Sequence, residues 1–244
     1  DTEVGPPSHI QWWAGPKRSR HHDSLASMSA MVSAGGRVFY ILDEGPAGLM
    51  HYPSQWKLIA RDAFNGVVLW KQDISDWIDQ LYYFRSGPNW LPRRLVAVGD
   101  RLYVTLGLEA PICTLDAATG RRLQTYAGSE RTEELICHKN VLLAVVGDPK
   151  SMNGEAPKIW RINDLLVQTN ATAAKAIVAY DAGNGRALWR KDARDLAWIA
   201  PLSLAASGDS VFYLDREHIH RLDLQTGQER WTSPFSTEGL YLRA

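Results

Sequence analysis

Ala60-Arg61-Asp62-Ala63-Phe64-Asn65-Gly66-Val67-Val68-Leu69-Trp70 is a phrase that the chain writes four times. It returns as Ala179-Tyr180-Asp181 with Gly185 and Trp189, and again as Arg221-Leu222-Asp223 with Gly227 and Trp231. A worn copy, Thr114-Leu115-Asp116 with Gly120, carries Gln124 where the others carry Trp. Repetition on this scale constrains architecture before any local reading does, because a recurring unit must bury its apolar face against its neighbours.

Within the phrase, residues 58–60 close a strand, residues 62–66 turn, and residues 67–70 open the return strand. The Asp side chain accepts backbone N–H bonds inside the turn, and the Gly supplies a positive φ. The Trp is large and flat with one N–H to satisfy. Its fixed place suits it to fill the joint between successive sheets, where truncation costs roughly 3–5 kcal/mol. A second element repeats in phase upstream. Gly35-Gly36, Gly99-Asp100, Lys139-Asn140 and Gly208-Asp209 each lie between two β-rich runs, which is the signature of a tight hairpin. One repeat is therefore strand A, hairpin, strand B, loop, strand C, Asp/Gly turn, strand D. Four strands per unit make the blade of an all-β β-propeller. Blades are expected over about residues 27–73, 91–127, 132–192 and 200–233, with an insertion at 147–175 and the start of a next blade at 234–244.

Composition bounds the rest. A chain of 244 residues with 45% apolar content can bury a full core. Twenty-seven basic and 27 acidic residues give a net charge of zero, with no basic patch of the kind that grips nucleic acid. No apolar run reaches the length of a membrane span. The chain opens on Asp1 and shows no signal peptide, so it is expected to be a processed product or an excised piece. Four blades alone would leave strand edges open; the expectation is a segment of a larger ring, with a self-contained four-bladed unit as the other option. Cys113 and Cys137 fall in apolar strands and read as buried free thiols, with a bridge between adjacent blades as the other option.

The pattern Ala-x-Asp-x-x-x-Gly-x-x-x-Trp resembles the tryptophan-docking repeat of quinoprotein-like (PQQ-like) β-propellers. The motif set is Asp62, Gly66, Trp70, Asp116, Gly120, Asp181, Gly185, Trp189, Asp223, Gly227 and Trp231. The family includes quinoprotein alcohol dehydrogenases and BamB-type outer-membrane assembly scaffolds, and the likeness runs from about residue 27 to 231. It implies a ring of about eight blades and an extracytoplasmic location in a bacterial cell envelope. Dehydrogenases of the family carry an adjacent-cysteine disulfide beside the quinone, a catalytic Asp and a calcium or lanthanide ion. Cys113 and Cys137 stand 24 positions apart and no matching site motif can be placed. No catalytic, cofactor-binding or metal residue is therefore assigned. The preferred reading is a non-catalytic scaffold or binding platform for protein, peptide or saccharide, completed by the remaining blades of a parent chain. The alternatives are a PQQ- and calcium-dependent alcohol or sugar dehydrogenase segment, or a regulatory propeller attached to an enzyme domain.

Strand alternation places B–C loops and D–A connections on one face of a propeller. The long segments, residues 43–56, 73–90 and 147–175, all fall there, and loops on a rigid scaffold are where binding concentrates. Trp56, Trp77, Tyr82, Tyr83, Trp90 and Trp160 would serve as contact anchors on that face or pack beneath their loops. Arg20, His21 and His22 read as an anion or partner contact, or as a structural strap; neighbouring histidines on an extended segment point apart, which disfavours a metal. His218 and His220 share a strand face, and Glu217 and Arg221 beside them suggest a solvated polar surface, with a metal site as the lesser alternative. Strand A lines the central channel, so Arg93, Arg94, Glu133 and Glu134 address either a channel ligand or one another at the rim. Asn170-Ala171-Thr172 matches a glycosylation sequon and is read as chance.

Overall fold

The computed structural model describes residues 10–14, 28–46, 52–75, 77, 91–147, 175–192, 196, 199–200, 202–215 and 217–234. These residues form four antiparallel four-stranded sheets, in each of which spatial order follows chain order. The first sheet is β1 (Met28–Ala34), β2 (Arg37–Asp43), β3 (Trp56–Asp62) and β4 (Val68–Asp73). A 3-10 turn, Leu91–Arg94, leads into the second: β5 (Leu95–Val98), β6 (Arg101–Thr105), β7 (Ile112–Asp116) and β8 (Arg122–Thr125). The third is β9 (Thr132–His138), β10 (Val141–Gly147), β11 (Lys175–Asp181) and β12 (Ala187–Lys191). The fourth is β13 (Ala205–Ser207), β14 (Ser210–Leu214), β15 (His218–Asp223) and β16 (Glu229–Pro234). The inner strands β1, β5, β9 and β13 neighbour one another in that order, so the sheets pack as successive blades of a propeller.

Burial follows from the stacking. One apolar layer joins the first and second sheets through Phe39, Ile41 and Leu58 with Leu102, Val104 and Leu115. A second joins the second and third through Tyr103, Ile112 and Tyr126 with Leu142, Ala144 and Tyr180. A third joins the third and fourth through Leu143, Val145 and Ile177 with Val211, Tyr213 and Leu222. Every residue of β10 is buried, because that strand has a sheet on either side. In β2 burial alternates, with Phe39 and Ile41 covered while Val38 and Tyr40 stay half-exposed. The outward faces of the first and fourth sheets are thus only partly covered.

The repeated phrase builds both turns and joints. Oδ1 of Asp62 accepts from the N–H groups of Phe64 and Asn65, both at 2.9 Å, and Asp116, Asp181 and Asp223 do the same in their turns. Each turn ends in a glycine with φ between 67° and 75°. The indole then lands on the turn of the following blade. Trp70 Nε1–H donates to Ala117 O at 3.0 Å, and its ring lies so close to Gly120 that a Cβ there would meet Cδ2 at 2.8 Å. Trp189 donates to Leu224 O at 2.9 Å and covers Gly227 in the same way. Trp12, which the repeat pattern did not reach, donates to Ala63 O at 2.9 Å and covers Gly66. Trp231 differs. It is 39% exposed beside Phe212, because no described turn follows it.

The joint between the second and third sheets uses other chemistry. Gln124 lies over Gly185 but turns its amide back to Thr125 O. The carbonyl equivalent to the indole acceptors, Ala182 O, takes Tyr126 Oη–H at 3.0 Å and Arg101 Nη1–H at 3.0 Å. Tyr126 Oη also pairs with Thr114 Oγ1 at 2.8 Å, and its ring meets Tyr180 edge-on at 5.4 Å. Burial pushes the Tyr126 phenol up to about 12, so it stays a donor at any working pH.

Three outcomes are expected in urea unfolding. Trp70→Ala or Trp189→Ala costs about 3–5 kcal/mol, whereas Trp231→Ala costs under about 1 kcal/mol; equal losses at Trp189 and Trp231 would contradict the seating geometry. Tyr126→Phe costs about 1–3 kcal/mol, since it strips two buried partners. Gln124→Ala costs less than Tyr126→Phe.

Candidate functional site

Charge collects where inner strands meet their leading segments. The Leu91–Arg94 turn packs against β9 and β1, and it presents two arginines to opposite environments. Arg93 is exposed, while Arg94 is 4% exposed. The Arg94 guanidinium donates to Leu108 O at 2.9 Å and lies 6.0 Å from the Trp77 ring. Burial draws it down to about 10, against an opposing push from Glu133. On β9 the parity of the strand separates the two glutamates. Glu133 pairs with the buried ammonium of Lys175 at 2.7 Å. Glu134 is 2% exposed and its Oε1 has no hydrogen-bond partner among the described residues. Burial pushes its carboxyl up to about 7; Arg93, the Leu204 N–H and Lys175 pull the other way. Arg131, at a left-handed φ of 61°, pairs with Glu109 at 2.7 Å. The cluster thus holds a buried carboxyl poised between charged and neutral, with an unmet acceptor and cations around it.

The sequence-based candidates fare unevenly. Arg93, Arg94, Glu133 and Glu134 do come together, but Arg94 and Glu134 lie inside rather than along a rim. The inner ends of the blades are too crowded to leave either in water. Trp56 and Trp77 are buried, so they pack beneath their loops and are not exposed anchors. Arg20, His21, His22, Tyr82, Tyr83, Trp90, Trp160, most of the insertion and the tail lie outside the described residues. His218 and His220 differ in exposure: the His218 side chain is 39% exposed, as a solvated polar face requires, while His220 is 13% exposed between Asp215 and Glu229. Cys113 and Cys137 are free thiols on separate sheets; Cys113 is buried and its Sγ donates to Val104 O at 3.5 Å, whereas Cys137 is only part-buried. They do not form the adjacent-cysteine disulfide found beside the quinone in dehydrogenases of this fold. Lys175 escaped the sequence reading. Its signal was a lone charge opening the apolar run Ala176-Ile177-Val178-Ala179.

Antiparallel four-stranded blades, joined by indoles seated on glycine turns, define a β-propeller of the quinoprotein-like class. The chain belongs to the family described as outer membrane protein assembly factor BamB, whose model matches residues 57–240. No individually curated protein matches it. Among solved structures it is similar to BamB from Moraxella catarrhalis, at 14% identity and a TM-score of 0.48 over 86% of this chain and 50% of that one. It is similar to quinohemoprotein alcohol dehydrogenase from Comamonas testosteroni, at 15% identity and a TM-score of 0.51 over 86% and 35%. It is also similar to acylaminoacyl peptidase from Pyrococcus horikoshii, at 11% identity and a TM-score of 0.53 over 91% and 35%. The likeness to the dehydrogenase and the peptidase is one of fold. The chain spans half or less of the length of these proteins. No helix among the described residues is long and apolar enough to cross a membrane.

Glu134 makes a signed prediction. A carboxyl raised from 4.5 to about 7 on folding stabilises the fold fully below its unfolded value and loses that contribution as pH rises through about 7. The loss is on the order of 3 kcal/mol. Glu134→Gln flattens the dependence between pH 5 and 8 and raises stability at pH 8, as read from urea midpoints at each pH.

Proposed function

We propose that this chain is part of a larger, non-catalytic propeller that serves as a protein-binding platform in a bacterial cell envelope, outside the cytoplasm. Its family membership supports the envelope and assembly setting. The half-covered faces of the first and fourth sheets support further blades in the parent chain. The observation that carries the reading is Glu134: a buried carboxyl with an unmet oxygen, beside exposed Arg93, at the inner ends of the blades. A partner's backbone N–H or hydroxyl inserted there satisfies that oxygen and removes the penalty of leaving it bare. Loops on the same face add adaptable contacts. The loop that follows β2 is closed by Asp43, whose Oδ1 accepts from Gly45 N and Gln55 N at 2.9 and 2.8 Å, and it presents exposed Tyr52.

The test uses the parent protein and fluorescent peptides that alternate aromatic and polar residues, as outer-membrane strands do. Saturable binding is expected by anisotropy, and Arg93→Ala with Glu134→Gln weakens it at least roughly tenfold, a loss of about 1.4 kcal/mol. Dye-linked oxidation of ethanol or glucose that requires added PQQ and calcium would overturn the reading in favour of a dehydrogenase.

A further inference from the structure

The fourth blade carries a constellation that the channel-end cluster does not use. We propose that Asp215, His218 and His220 form a binding site for one divalent transition-metal cation, with zinc as the reference ion. His218 and His220 are two apart on β15 and therefore share a face. Leu222, two residues further along that face, is fully buried. The hairpin from β14 returns Asp215 onto the same side. Its Oδ1 accepts from the N–H groups of Glu217 and His218 at 2.7 and 2.6 Å, which fixes the carboxylate and leaves Oδ2 to face the His220 ring. One ligand atom from each of the three residues lies within 4.8 Å of the others. His220 Nε2 is 2.8 Å from Asp215 Oδ2, and His218 Nδ1 is 3.6 Å from Oδ1. Tetrahedral zinc, with bonds of about 2.0–2.1 Å, sets its ligand atoms about 3.3–3.4 Å apart. His220 already lies inside that spacing from Oδ2, whereas His218 approaches the other oxygen; the three ligand atoms lie within 4.8 Å of one another, so the His218 ring moves inward to join the ion.

The surroundings of His220 carry the argument further. Its Nδ1 faces Glu229 Oε2 at 3.2 Å while its Nε2 faces Asp215 Oδ2 at 2.8 Å. A neutral imidazole has one N–H. With that hydrogen given to Glu229, the Nε2 lone pair points at a carboxylate, a repulsive arrangement that a cation between them reverses. A carboxylate holding the far nitrogen of a ligating histidine is the usual outer support of a zinc site. Here that carboxylate is itself oriented, because Thr232 Oγ1–H donates to Glu229 Oε1 at 2.9 Å. Tyr213 stacks on the His220 ring at 4.5 Å and 5°, which holds its plane. Asp215 and His220 are largely buried, with side chains 9% and 13% exposed, whereas His218 is 39% exposed. The site therefore has two largely buried ligands, one partly exposed ligand and an opening to solvent for a water in the fourth position. The cation fastens the β14–β15 loop to the outer pair of strands on the loop-bearing face. Two imidazoles with one carboxylate favour zinc or a neighbouring transition ion over calcium or magnesium.

A proton in place of the cation explains His220 but gives His218 no role, so His218 is the discriminating residue. Chelator-stripped full chain is titrated with zinc by calorimetry, and with Co2+ by visible absorption. One zinc per chain is expected, together with the d–d bands of tetrahedral cobalt. His218→Ala abolishes the bands and weakens zinc by more than roughly 100-fold, while Glu229→Gln weakens it roughly 10–100-fold. A chain in which both His21 and His22 are replaced by Ala keeps the site, which separates it from adventitious binding at that pair. Failure of zinc to bind, or binding unchanged in His218→Ala, overturns the proposal. His218 is the partly exposed member, so its variant remains informative even where Asp215→Asn fails to fold.

Discussion

An indole lying flat on a glycine turn, with its N–H on the carbonyl one residue past the turn's aspartate, is the contact on which this structure rests. Turn chemistry and inter-sheet packing are one feature here. The aspartate holds the turn by accepting two N–H groups, and the turn so held presents a carbonyl and a bare backbone to the preceding blade. The glycine is needed twice. At Gly120 its φ of 73° lies where other residues are strained, and a Cβ would lie 2.8 Å from the Trp70 ring. Polar contacts at the hairpin end of the blades, such as Arg37 with Asp100 and Lys139 with Asp209, add only modest support because they are exposed.

The joint lacking an indole shows which part of that contact is indispensable. Gln124 still covers Gly185, yet it leaves the acceptor carbonyl to Tyr126 and Arg101. A buried carbonyl must be paired, so the donor has moved from an outer strand to a tyrosine just beyond it and to an arginine on β6. Tyr103, Tyr126 and Tyr180 refill the volume that the missing ring vacates. The same rule applies at the inner ends of the blades with the opposite outcome. Lys175 answers Glu133, while Glu134 keeps one oxygen unanswered and moves toward its neutral form. Burial and an unpaired oxygen act in the same direction there, both favouring the neutral carboxyl.

The blades were legible because Asp, Gly and Trp at fixed offsets specify a turn and its flanking strands whatever lies between. Pairs like Lys139-Asn140 could be placed by phase alone, although both adopt a left-handed φ usually left to glycine. Depth was not legible. Arg93 and Arg94 are the same residue type side by side, and only the packing of β9 and β1 against their turn decides which is buried. Tyr126 carried no flag because its acceptor lies 56 residues away. For His218 and His220 the signal existed and was outweighed. Leu222 shares their parity on the strand, which marks the face as part-buried, whereas Glu217 and Arg221 were read as neighbours although Arg221 points to the other side.

The seats use only the C–D turns, and the A–B hairpins sit on that same side. On the opposite side the Leu91–Arg94 turn still packs across β9 and β1, but the B–C loops take no part in those seats. They need only a local anchor, and an aspartate at or just past the end of strand B provides it. Asp43 closes a long loop by accepting from Gly45 and Gln55, and Asp215 closes a short one by accepting from Glu217 and His218. One device thus fixes loops of very different length without reference to the interior. A fold so divided can change its binding chemistry while its joints stay constant. That accounts for its likeness in backbone alone to an alcohol dehydrogenase and to a peptidase.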